Sequence, residues 1–192
     1  MTWMDGGNAD AVGRTGSRPV LVVDYGVKQA DLLTGGLAVE ADILFLVPGR
    51  RALDQIAAFL ADRRDIPSLH ILSHGHPGVL ALAGSKVDLA ALVLQQDALA
   101  TIAAALADDA AVVLYGCSVL AGPKGAGFSR YLALALDAEV SGSLMPVGSL
   151  EKGGDWVLRN IDGLWIEPIF TGDARARYPE LLVTGARTAN RP

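Results

Sequence analysis

"LHILSHGHPGVL", residues 69–80, begins as an apolar run and breaks off in histidine, glycine and proline. Residues 68–75 have the length and composition of a strand, and Pro77-Gly78 turns the chain away from it. The chain's three histidines, His70, His74 and His76, all fall inside this stretch. Working outward, "VLVVDYG" (20–26), "ILFLVPG" (43–49) and "AAVVLYGCSVLAG" (110–122) repeat the pattern of a continuous apolar run that meets a polar or glycine end. Runs of that kind read as strands buried on both faces.

Helical spacing separates them. "ALDQIAAFLADR" (52–63), "ALATIAAALADD" (98–109) and "FSRYLALALDA" (128–138) each carry an apolar stripe. "EVSGSLM" (139–145) reads as a short strand, and "DWVLRN" (155–160) with "LWIEPI" (164–169) as a hairpin across "IDG". Strands alternating with amphipathic helices predict one α/β domain, with a mostly parallel sheet covered on both faces. Composition sets the domain at 19–169. Residues 1–18 read as a flexible arm and 170–192 as a polar C-terminal tail carrying four arginines.

The chain of 192 residues is 51% hydrophobic but only 6% aromatic, so its core must be aliphatic. A net charge of -5 argues against nucleic acid, whose phosphates call for a basic face. No apolar run is long enough to span a bilayer. The N-terminal residues lack a secretory signal pattern, which leaves export as part of a longer parent chain open. The single cysteine, Cys117, excludes an internal disulfide and a multi-cysteine zinc site.

In open α/β sheets, ligands bind beyond the carboxyl ends of the strands. Asp24, His74 and Cys117 stand at such ends, and Asp155 lies just before a later strand. Turn chemistry alone would place Gly, Asn or Pro there. His74 and Cys117 together form a base and a nucleophile, since a nearby imidazole converts more thiol to thiolate. Gly75 lets its N–H approach a carbonyl, and with the N–H of Cys117 it would make an oxyanion hole. His70 and His74 would lie about 13 Å apart along one strand and cannot grip one metal. His74 and His76 lack an accompanying carboxylate cluster, so no metal site is expected, and His70 reads as a packed or half-exposed strand residue.

Three other cysteine chemistries fail on the string. A tyrosine-phosphatase loop needs arginine at position 123, which is Pro123. A thioredoxin site needs a second cysteine at Leu120. An α/β-hydrolase needs a histidine after the nucleophile, and none follows Cys117.

In their order and spacing, "LHILSHG" and "VVLYGCSV" resemble the His-Gly and Cys blocks of the caspase-like (caspase–haemoglobinase) fold of cysteine peptidases, a three-layer sandwich. The 43 residues between His74 and Cys117 accommodate the intervening helix. "LFLVPGRRALDQIAAFL", "LHILSHGHPGVLAL", "VVLYGCSVLAG" and "GGDWVL" are most similar to an uncharacterised bacterial domain family near the N-terminus of very long, repeat-rich surface or secreted proteins. The resemblance covers about residues 18–168. It implies His74 as general base or acid and Cys117 as nucleophile, with Gly75 and Cys117 donating to the oxyanion.

By the same resemblance, Asp24, and less directly Asp155, would bind a basic side chain before the cut. For Asp24 a helix- or loop-capping role stands equally beside that one, and for Asp155 in "GGDW" turn formation is the stronger reading. No arginine matches an aspartate-binding pocket, and the chain lacks the two-subunit length on which caspase dimer activation depends. No cofactor is expected. Calcium dependence occurs in the wider group, but no ligand motif supports it here.

The expectation is therefore a cysteine endopeptidase acting on a polypeptide, with its own parent chain as one candidate, after a basic residue. The alternatives are an inactive caspase-like binding or assembly module, and a small-molecule hydrolase or transferase using the same thiolate.

Overall fold

Val20, Leu21, Val22 and Val23 have almost no contact with solvent on either side, as a strand in the middle of a covered sheet must. They form β1 (Val20–Val23) in a computed structural model that describes residues 17–183. α1 (Ala30–Thr34), β2 (Asp42–Phe45), α2 (Ala52–Leu60) and β3 (Ile66–Leu72) follow. A small hairpin sheet comes next, built from β4 (His74–His76), β5 (Val79–Leu82) and β6 (Ser85–Asp88). Then come α3 (Leu89–Val93), α4 (Gln96–Ala103), β7 (Leu106–Tyr115), α5 (Gly122–Leu136) and β8 (Glu139–Gly142). β9 (Leu158–Asn160), β10 (Trp165–Ile166) and α6 (Gly172–Arg177) complete the described chain.

The main sheet has the order β10-β9-β8-β7-β3-β1-β2. β2, β1, β3, β7 and β8 run parallel, and β9 and β10 are antiparallel. Successive side chains of a strand point to opposite faces, and the core divides accordingly. Val20 and Val22 join the cluster that also holds Ile56 of α2, Ile102 of α4 and Phe128 of α5. Leu21 and Val23 join the cluster on the other face, with Leu33 of α1, Trp156, Phe170 and Tyr178. The result is the expected single α/β domain, a mostly parallel central sheet between helices, consistent with a three-layer sandwich.

Three local expectations change. The strand read over 68–75 breaks at Ser73, so His74 opens the hairpin sheet instead of ending β3. The helix read over 98–109 stops at Ala103, because Leu106 pairs with Ile66 and begins a long strand. Residues 170–183, assigned by composition to a polar tail, are folded. Phe170, Ala174 and Leu182 are wholly buried, Tyr178 nearly so, and Thr171 accepts the Ala174 N–H at the start of α6. Residues 184–192 of that tail, and residues 1–16 of the N-terminal arm, lie outside the described residues.

Candidate active site

The parallel strands bring three carboxyl ends to one edge: β1 leads into Asp24, β3 into Ser73-His74, and β7 into Gly116-Cys117. Strand order reverses beside β1, the place where such sheets open a crevice. A cleft of about 400 Å³ opens there, lined in part by Asp24, Tyr25, Gly26, His74, His76 and Lys86.

His74 Nε2 lies 3.0 Å from the carbonyl oxygen of Gly26. A carbonyl only accepts, so this contact assigns the proton to Nε2 and leaves Nδ1 as the basic nitrogen. Nδ1 is buried and has no hydrogen-bond partner. The Gly26 turn is itself held by Asp24: Oδ2 accepts the Gly26 N–H at 2.9 Å, and Oδ1 accepts the Ala83 N–H at 2.6 Å. Asp24 is 4% exposed. Its carboxylate thus ties β1 to the β5–β6 turn and fixes the carbonyl that orients His74. Both oxygens are engaged by backbone N–H groups.

Cys117 is buried. Its Sγ accepts the Val147 N–H at 3.2 Å and faces the Val147 carbonyl at 3.5 Å. Burial pushes the thiol pKa up, and the neighbouring N–H groups of Val147 and Leu182 partly offset this by favouring the thiolate. The imidazole and the thiol come from adjacent strand ends but do not hydrogen-bond to each other.

A single oxygen links the two. The Leu182 carbonyl accepts the Gly75 N–H at 2.9 Å and the Cys117 N–H at 3.0 Å. Gly75 is needed because backbones meet here: a Cβ on it would stand 3.0 Å from Gly116 Cα and 3.3 Å from Cys117 N. The sequence reading gave Gly75 to the space for a carbonyl, whereas the crowding comes from the Gly116–Cys117 backbone. The segment carrying Leu182 is held like an added strand. Leu182 N donates to the Val147 carbonyl, and Ser149 N donates to the Glu180 carbonyl, both at 2.9 Å. Gly148 pairs antiparallel with Leu181, and Val183 pairs parallel with Gly75.

Asp155 lies apart from the cleft. Its Oδ1 accepts the Val157 N–H at 3.0 Å, a local turn, while its backbone pairs with Val147 and braces the 146–148 loop. His70 is packed rather than half exposed, with Nε2 2.9 Å from Ser68 Oγ and Nδ1 3.1 Å from the Tyr115 hydroxyl. His76 is exposed on the cleft rim. Sequence reasoning missed Gly26, Val147, Gly148 and Leu182. Their contributions are mostly backbone groups, which no side-chain pattern announces. Leu182 had a signal: Phe170, Ala174, Tyr178 and Leu182 recur every fourth residue.

Among the described residues, no three His, Cys, Asp or Glu side chains are grouped as a metal site, and no helix is long and apolar enough to cross a membrane.

Residues 20–182 match the family described as Domain of unknown function (DUF4347), and the chain belongs to that family. No curated protein matches it.

Proposed function

For this member of the DUF4347 family, we propose a caspase-like cysteine endopeptidase that takes extended peptide strands, with Cys117 as nucleophile and His74 as acid and base. The observation that carries the reading is the Leu182 carbonyl, which accepts from both Gly75 N–H and Cys117 N–H beside the thiol. Two fixed donors converging on one carbonyl are what a tetrahedral oxyanion requires, and such donors contribute several kcal/mol when preorganised, about 3 for one of them. His74 supports the same reading. Its Nε2 is engaged by Gly26, so the unpartnered Nδ1 is left to take the thiol proton and pass it to a leaving amine. The loop 147–149 offers backbone groups to an added strand, the manner in which sheet edges bind peptides irrespective of side chain.

The test is hydrolysis of internally quenched peptides by the full chain. Turnover that disappears in both Cys117→Ala and His74→Ala supports the peptidase. Turnover that survives Cys117→Ala would overturn it.

A second reading, a non-enzymatic binding or assembly module, is favoured by one feature. The Cys117 thiol hydrogen-bonds to the Val147 backbone instead of to His74. Under that reading, residues 180–183 simply close the sheet end as a structural strand, and neither substitution changes a peptide-cleaving activity.

A further inference from the structure

Leu182 is wholly buried, in the cluster that includes Cys117, Val147, Trp156 and Tyr178. Leu181 is partly buried, Glu180 pairs with Lys152 at 2.7 Å, and Val183 is 45% exposed. Seen as a bound peptide, the segment has its backbone clamped on both sides of Leu182, the Leu182 side chain in an apolar pocket, and the next residue turning outward. Gly148 is shaped for this strand. Its φ is +128°, and a Cβ there would stand 2.2 Å from the Glu180 carbonyl oxygen. A basic side chain in place of Leu182 would be desolvated among apolar groups, with both Asp24 oxygens and Asp155 Oδ1 already held by backbone N–H groups.

We propose that the chain is its own substrate, cut between Leu182 and Val183, and that the site selects a leucine-like apolar side chain before the cut. This rests on the peptidase reading above. In the first step the Cys117 thiol gives its proton to His74 Nδ1, and Sγ bonds to the Leu182 carbonyl carbon. The oxyanion stays on the Gly75 and Cys117 N–H groups. Collapse breaks the Leu182–Val183 C–N bond, and the Nδ1 proton leaves on the Val183 nitrogen as a free amine. Water then adds to the thioester, His74 takes its proton, and the Cys117–Leu182 bond breaks. His74 returns that proton to the sulfur, which restores the thiol, and the new Leu182 carboxyl gives up its own proton to the released Val183 amine. One water is consumed, and no metal or redox partner enters the balance. Val183 pairs with Gly75, next to His74, so the leaving nitrogen and the imidazole arise at neighbouring positions.

Because the bond is held intramolecularly, the cut is first order in protein, and its rate constant stays unchanged on dilution by about 100-fold.

Intact-mass analysis of the purified full chain, followed over time, tests this. The expected result is loss of the peptide VTGARTANRP, leaving a chain that ends at Leu182. Cys117→Ala and Val183→Pro stay whole. The proline variant changes a half-exposed position and tests the bond without emptying the core. Leu182→Arg stays whole in itself. An added peptide YPELLVTGAR is cut by the wild-type chain between its second leucine and valine, and the same peptide with arginine in place of that leucine is not.

Cleavage at another bond, or preference for the arginine peptide, overturns the proposal. So does a wild-type chain that stays whole and leaves YPELLVTGAR intact while other quenched peptides are hydrolysed in a manner dependent on Cys117 and His74. That last result would leave the peptidase reading standing. Absence of all cleavage would remove both.

Discussion

His74 Nε2 and the Gly26 carbonyl oxygen, 3.0 Å apart, fix which imidazole nitrogen is basic. Asp24 stands behind that contact, since it holds the Gly26 and Ala83 N–H groups at once. Asp24→Asn keeps the shape but leaves one of those two N–H groups facing an NH₂. The expected cost is about 1–3 kcal/mol of stability in urea titration. Peptide hydrolysis falls through a misplaced His74, with an unaltered order of preference among side chains before the cut. A selective loss of basic substrates would instead make Asp24 a pocket carboxylate.

Gly75→Ala drives a Cβ against the Gly116 backbone, where neither partner is a flexible side-chain end. Displacing one oxyanion donor in this way is expected to lower kcat by about 100-fold or more. Steady-state kinetics and circular dichroism on the same sample check that activity falls while the fold persists.

Gly148→Ala sets a Cβ into the Glu180 carbonyl at a backbone angle that L-residues rarely adopt. The 180–183 strand should unseat, uncovering Cys117. Alkylation by iodoacetamide at pH 7 is expected to run at least about 10-fold faster than in the wild type, because reactivity follows thiol access. An unchanged rate would mean that the strand does not cover the thiol.

These predictions turn on groups of unequal legibility. β1 and β7 could be read because Val20–Val23 and Ala110–Tyr115 are apolar without interruption, the mark of strands covered on both faces. The neighbouring positions of His74 and Cys117 could be read because each follows an apolar strand, β3 and β7, that pairs with the other. The helix over 98–109 was overrun because alanine-rich sequence favours helix, while the pairing of Leu106 with Ile66 is a tertiary preference absent from a local window. Residues 170–183 escaped because their arginines and aspartate dominate the composition, whereas burial falls on Phe170, Ala174, Tyr178 and Leu182. The Val147 and Gly26 contacts are made by backbone atoms, and their partners follow only from the fold.

His70 gives a pH signature unconnected with the cleft. Burial lowers its pKa from 6.5 to about 4, so the folded chain favours the neutral ring. Above about pH 6.5 this residue is neutral in both states and its contribution is fully present. As pH falls towards 4, the unfolded chain takes up a proton that the folded chain refuses. Stability then declines, by a total on the order of 3 kcal/mol at pH 4. Urea midpoints from pH 7 to 4.5 should drop for the wild type and drop less for His70→Gln. Equal slopes would place the acid sensitivity elsewhere.

The most direct test of the His74–Cys117 pair is the rate of Cys117 alkylation from pH 5 to 9 in wild type and in His74→Ala. Burial pushes the thiol pKa up, so a working pair predicts a wild-type inflection at lower pH than that of the variant, in which no imidazole offsets the burial. Identical profiles that rise only as an ordinary thiol ionises would contradict the account and make Cys117 a packed residue under a structural strand.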